Sequence, residues 1–248
     1  SGQILEHNIE DAGQGAVSDP EKKHPEDFSL WFFKAGVHER ALQTWSNPWN
    51  DKEGFPGWHL ECSAMIKDIL GTTIDIHMGG IEHIPVHHTN EIAQSESANE
   101  VPLAHYWIHY AHLLVDGKKM SKSEGTSYTL EDIEAKKIDP LALRYFFLNA
   151  HYRSKQNFTW EAITGAETAL NRLRLVPGEE VGTVNAGYRT RFIKHITNDL
   201  DMPGALALMW GMIKDPSLPS ADKIATLLDF DRVFGLGLAP RKTEAIPE

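Results

Sequence analysis

The sequence predicts an α/β fold that gives way to an all-α one. Three observations carry this expectation. Thr73-Ile74-Asp75-Ile76-His77 alternates as a strand does and runs into Gly79-Gly80. Segments with apolar or small residues at helical spacing flank it on both sides, and from Asp139-Pro140 onward the chain reads as consecutive helices. With 248 residues and 41% apolar content, there is material for one large domain or two small ones with real cores.

In chain order, residues 8–26 carry Gly, Asp and Pro among many charges and read as an irregular, exposed connection. Residues 28–33 form a short apolar run suited to a buried strand, and residues 45–55, rich in Asn, Pro and Gly, read as a loop. Pro56-Gly57 opens a helix in which Trp58, Cys62, Met65, Ile66 and Ile69 fall at helical spacing, ordinarily a buried stripe. After the strand ending at His77, Gly79-Gly80 permits positive φ and close approach of the backbone to a ligand. From Val86 the chain reads as helix again, with Ala93, Ser95 and Ala98 allowing close packing. Residues 106–115 read as one further strand, turned by Asp116-Gly117. Thr129 caps a helix through Lys136, and Asp139-Pro140 is an N-cap followed by proline at the first helical position. Helices are then expected over residues 141–151, 159–175, 188–200, 203–213 and 221–233.

Chemistry concentrates between residues 56 and 98. His87 and Glu91 stand at i and i+4, so they share one helix face, and Cys62 can join them if the strand draws the two helices together. Thiolate, imidazole and carboxylate are a zinc ligand set. With thirteen His in the chain, solvated His/Glu pairs at this spacing also arise by chance.

A net charge of −11 excludes general affinity for nucleic acid, so RNA contact would need local basic patches: Lys118, Lys119, Lys122, Lys136, Lys137, Arg144, Arg153, Lys155, Arg172 and Arg174. Each is otherwise ordinary solvated surface. A single Cys excludes an internal disulfide framework and suits a reducing, cytoplasmic compartment, and no apolar run reaches the length that spans a bilayer.

Gly57-Trp58-His59-Leu60-Glu61-Cys62-Ser63-Ala64-Met65, the segment 75–94 with His87-His88-Thr89-Asn90-Glu91-Ile92-Ala93-Gln94, and Lys119-Met120-Ser121-Lys122-Ser123 resemble the cysteinyl-tRNA synthetases of class I in order and approximate spacing. The last is the KMSKS signature, which marks the class; the Cys-containing and His-His-x-Asn-Glu segments mark the cysteine enzyme. The resemblance implies ATP-dependent activation of cysteine and its transfer to tRNA-Cys by a cytoplasmic monomer that binds no membrane. It implies one zinc ion on Cys62, His87 and Glu91, and a pocket for cysteine lined by Trp58 and His77. His77 otherwise reads as a His capping a strand end, and His88 as a second-layer or surface group. Trp107 and His109 form a W-x-H arrangement also seen in the family. Lys119 and Lys122 would be catalytic and Lys122 would bind ATP, because ammonium groups meet the negative charge that builds on the transferring phosphate. A Lys/Ser-rich solvated turn is the alternative.

By the same resemblance, residues 1–55 are the end of a connective insertion and 56–115 the second half of a Rossmann-type catalytic domain. Residues 116–138 are the KMSKS loop and stem-contact segment, and 139–248 a helical tRNA-binding bundle. Glu82, where Asp is expected, and Glu124 and Thr126 after the signature depart from the pattern. The HIGH-type sequence, the amino-terminal half of the nucleotide fold, a fourth zinc-binding Cys and the carboxy-terminal extension are not among these residues, so the chain is expected to be incomplete and inactive alone. Two rivals are a cysteine ligase of mycothiol synthesis, which shares the zinc pocket, and a catalytically silent RNA-binding remnant.

Overall fold

The computed structural model describes residues 22–24, 26–120, 126–176 and 181–239. They divide into two compact units, Ser1–Tyr110 and Ala111–Glu248.

The first unit opens with a three-stranded antiparallel sheet of β1 (Trp31–Phe33), β2 (Trp45–Ser46) and β3 (Glu53–Pro56), with β3 in the middle. The apolar run predicted to be a buried strand is therefore an edge strand, and Leu30 and Phe33 are exposed. The predicted loop at 45–55 holds two strands joined by a turn. Its Asn47 Oδ1 accepts from the backbone N–H groups of Trp49 and Asn50 at 2.8 and 2.7 Å. Asn, Pro and Gly mark that turn correctly but conceal the short strands beside it.

The chain enters α1 (Trp58–Ile69) through Gly57, whose backbone is so close to β1 that a Cβ would stand 2.7 Å from the Ser29 carbonyl oxygen. Contrary to expectation, α1 turns His59 and Ser63 inward, while Trp58, Met65 and Ile69 are 60%, 54% and 74% exposed. The polar face takes the interior because it finds partners there: His59 meets His87, and Ser63 Oγ donates to Gln94 Oε1 at 2.8 Å. Burial of a polar face is tolerable only when it is hydrogen-bonded in this way.

The alternating segment is β4 (Ile74–Gly80), paired in parallel with β5 (Ala104–Tyr110), with His77 opposite Trp107 and Gly79 opposite His109. A 3₁₀ turn (Ile81–His83), a single π turn (Ile84–His88) and α2 (Thr89–Asn99) make the crossover. Neither Gly79 nor Gly80 has positive φ. Glycine at 79 is instead a matter of room: a Cβ there would lie 2.7 Å from His83 Nδ1 and 2.8 Å from His88 Cε1. Ile76, Met78 and Tyr106 are exposed on this two-stranded sheet.

In the second unit the strand predicted over 106–115 restarts as β6 (Leu113–Val115), which pairs antiparallel with β7 (Lys118–Lys119) through the positive-φ turn Asp116-Gly117. A strand that sequence periodicity does not reveal, β8 (Gln156–Phe158), pairs in parallel with β6. The predicted helices follow as α3 (Leu130–Ala135), α4 (Pro140–Leu148), α5 (Trp160–Arg174), α6 (Ala186–Ile196), α7 (Met202–Lys214) and α8 (Ser220–Phe234). Thr129 and Asp132 form a reciprocal capping box on α3, and Asp139 Oδ1 caps α4 through the Leu141 N–H at 2.8 Å. The core joins Phe146, Phe158, Leu170, Met209 and Phe230, with Phe192 stacked on Phe230 at 4.0 Å. At the end of α8, Gly235 turns the chain with φ +63°, Asp231 accepts from the Leu236 and Leu238 N–H groups, and Arg144 Nε donates to the Phe234 carbonyl.

Candidate metal centre

Glu91 lies in the first turn of α2 and is 0% exposed. Its Oε2 is 2.8 Å from His77 Nε2, at the inner part of β4. Its Oε1 faces His87 Nε2 at 3.5 Å and has no hydrogen-bond partner among the described residues. Cys62, supplied by α1, completes a group in which the ligand atoms of Cys62, His87 and Glu91 all lie within 4.8 Å of one another. Tetrahedral zinc with its usual bond lengths sets ligand atoms roughly 3.3–3.7 Å apart, so small side-chain adjustments suffice. A buried carboxylate oxygen without a donor is costly, and a cation removes that cost. The donor set and the orphaned oxygen both fit a zinc ion.

Burial, with help from the nearby Glu91 and Glu61 carboxylates, raises the Cys62 thiol above its ordinary value. Without metal the thiol keeps its proton, and metal binding has to release it. His87 is lowered, chiefly by burial. His59, which the sequence reading left without a role, is lowered by burial and then by His87, and its Nδ1 stands 2.6 Å from His87 Nδ1.

His88 is a buried member of the cluster, 2% exposed, with Nδ1 2.8 Å from His109 Nε2. Its ring and that of His77 pack with centroids 4.5 Å apart, and both lie against Trp107. Burial, reinforced by His77 and His109, pushes His88 down from 6.5 to about 3. The unfolded chain therefore takes up this proton first. Its contribution to stability is full above about pH 6.5 and is lost as the pH falls towards 3. In metal-free protein, urea unfolding of the first unit should lose a few kcal/mol over that range. His88→Asn should make the profile shallower, leaving the part due to His59 and His87, and an unchanged pH dependence would remove His88 as a source.

Trp58 is largely exposed at the start of α1 and stacks on Phe32 at 6.4 Å. His77 directs Nε2 at Glu91, an arrangement that orients a ligating carboxylate. Lys119 is exposed on β7, and Lys122, with Ser121, Ser123 and Glu124, lies outside the described residues. Several predicted RNA contacts are taken by internal partners. Arg144 caps α8, Arg153 Nε pairs with Asp199 at 2.7 Å, Arg174 pairs with Asp139 at 2.7 Å, and the Lys136 ammonium sits 4.5 Å from the centre of the Trp160 ring. Lys155 and Arg172 are exposed and have no ion-pair partner among the described residues. No described helix is long and apolar enough to cross a membrane.

Comparisons with known proteins bear on the family of this chain. A family model described as "tRNA synthetases class I (C) catalytic domain" matches residues 1–168. Among curated proteins, cysteine–tRNA ligase 1 of Burkholderia lata is 46% identical over 91% of this chain and 48% of its own length. The cysteine–tRNA ligases of Treponema denticola and Opitutus terrae are 37% and 42% identical over 96% and 90% of this chain, and 54% and 47% of their own lengths. The chain thus spans about half the length of the curated relatives it matches. The crystal structure of the Agrobacterium radiobacter K84 LeuRS-tRNA-LeuAMS ternary complex shares the fold, with a TM-score of 0.52 and 15% identity over 81% of this chain and 33% of that one. On the family match and these identities, the chain belongs to the cysteine–tRNA ligase family of class I synthetases.

Proposed function

We propose that this chain carries the metal pocket and KMSKS segment of a cytoplasmic, monomeric cysteine–tRNA ligase that activates cysteine with ATP and transfers it to tRNA-Cys. The observation that carries the reading is the buried, unsatisfied Glu91 Oε1 facing His87, with Cys62 beside them. Cys62 Sγ, His87 Nε2 and Glu91 Oε1 hold the ion. Zinc, when bound, supplies a soft acceptor for the thiolate of cysteine, for which the hydroxyl of serine is a poor substitute. His77 holds Glu91 in orientation and, with Trp58, borders the amino-acid pocket. Lys119 and Lys122 meet the charge that develops on the phosphates. The expected division of labour assigns 1–55 to the connective insertion, 56–115 to the second half of the nucleotide fold, 116–138 to the signature loop and stem contact, and 139–248 to tRNA.

Met65 and Ile69 of α1, Ile76 and Met78 of β4 and Tyr106 of β5 leave large apolar side chains in solvent, an exposure that calls for a partner. We assign it to contact with the amino-terminal half of the nucleotide fold, which the longer relatives have room for. The 248 residues alone should not support cysteine-dependent exchange between ATP and pyrophosphate. Supplying that half from the Burkholderia lata relative, fused or in trans, should restore exchange, and persistent inactivity would overturn the reading.

For RNA, the internal pairing of Arg144, Arg153 and Arg174 leaves fewer cations for phosphate contact than the sequence suggests. Lys155→Gln and Arg172→Gln should each reduce the slope of log affinity against log salt by about 0.9, taking the DNA value as a guide. tRNA-Cys and other tRNAs should bind this chain similarly, because stem phosphates carry little sequence information. A filter-binding series at two salt concentrations checks both. Salt-independent binding would contradict the phosphate contact, and strong preference for tRNA-Cys would place base readout within these residues.

A further inference from the structure

We infer that His59 is a positioning residue that fixes the tautomer of His87 for metal binding, an inference that rests on the metal centre proposed above. His59 is 7% exposed and sits three residues before Cys62, so α1 brings both the thiol and this imidazole to the same centre. Its Nδ1 lies 2.6 Å from His87 Nδ1, a separation that requires one nitrogen to carry a proton and the other to be bare. The other nitrogen of His87, Nε2, is the one that faces Glu91 Oε1, at 3.5 Å.

A metal ligand must present a bare nitrogen. With Nε2 on the metal side, the His87 proton must reside on Nδ1 and be donated to a bare His59 Nδ1. The competing tautomer carries its proton on Nε2 and directs it at Glu91 Oε1, satisfying the carboxylate and closing the site to a cation. The competing state also needs His59 in its other tautomer, donating Nδ1–H to a bare His87 Nδ1, so His59 acting as acceptor favours the tautomer that leaves Nε2 free for metal.

The test contrasts two amides in the full chain. His59→Asn places an amide oxygen near the position of Nδ1 and should bind Zn2+ nearly as tightly as the unaltered chain in competition with a chromophoric chelator. His59→Gln extends its oxygen to the position of Nε2, leaves His87 Nδ1 without its acceptor, and should lose 10- to 100-fold in affinity, the range for losing such an outer partner. Saturating Co2+ should still give a sulfur-to-metal absorption band in His59→Gln, because Cys62 remains a ligand. Equal affinities for the Asn and Gln variants, whether both high or both low, would overturn the tautomer role and leave His59 as packing. Absence of metal binding by the unaltered chain would instead remove the centre itself, and the role of His59 with it.

Discussion

Cys62→Ala should strip the chain of zinc: after dialysis, elemental analysis should find about one ion per unaltered chain and little in the variant. The site within these residues offers three protein ligands, with water or an outside group completing the tetrahedron. Removing the thiolate leaves His87 and Glu91 of this set, and zinc that persisted would have to sit in the neighbouring group of His77, His88 and Glu91. Because burial raises the Cys62 thiol, zinc affinity in the unaltered chain should also weaken as the pH falls, with protons displacing the metal. Cys62 is only half-buried, so its truncation should change the fold little. Equal zinc in both proteins would sink the assignment.

The largest effect on rate is expected from Lys122→Ala in enzyme restored with the amino-terminal half: a fall of ~10²-fold or more in ATP–pyrophosphate exchange, as for loss of one preorganised charge in the transition state. Exchange isolates adenylation from transfer to tRNA, so the readout falls on the phosphate chemistry assigned to this lysine. Lys119→Ala should have the smaller effect, because Lys119 is fixed on β7 opposite Leu114 and plays the supporting role. An unchanged rate would remove Lys122 from the mechanism. Robust exchange by the 248 residues alone would show that the added half is dispensable.

Features governed by neighbours along the chain were readable from sequence. The strand at 74–80, the caps at Thr129 and Asp139, the turn at Asp116-Gly117 and the i,i+4 pair of His87 and Glu91 all depend on a few adjacent residues. Features governed by distant partners were not. The inward face of α1 is polar because His87 and Gln94 await it, and a rule that buries the apolar stripe cannot see them. β8 is three residues long and is specified mainly by its neighbour β6. Arg144, Arg153 and Arg174 look like a basic surface until their carbonyl and carboxylate partners are known. His59 carried a usable hint: it stands three residues before Cys62, on the same helix face.

The contact between Arg144 on α4 and the end of α8 joins positions 90 residues apart. During synthesis, α4 leaves the ribosome well before the carbonyls it will cap exist. At about 5–20 residues per second, the intervening stretch takes on the order of ten seconds to appear. Over that interval Phe146 and its neighbours await core partners such as Met209 and Phe230, whereas β4 and β5, about thirty residues apart, can pair soon after they emerge. The helical unit is thus the later of the two to complete its core on the ribosome, and the one whose nascent form offers apolar surface to chaperones for longer.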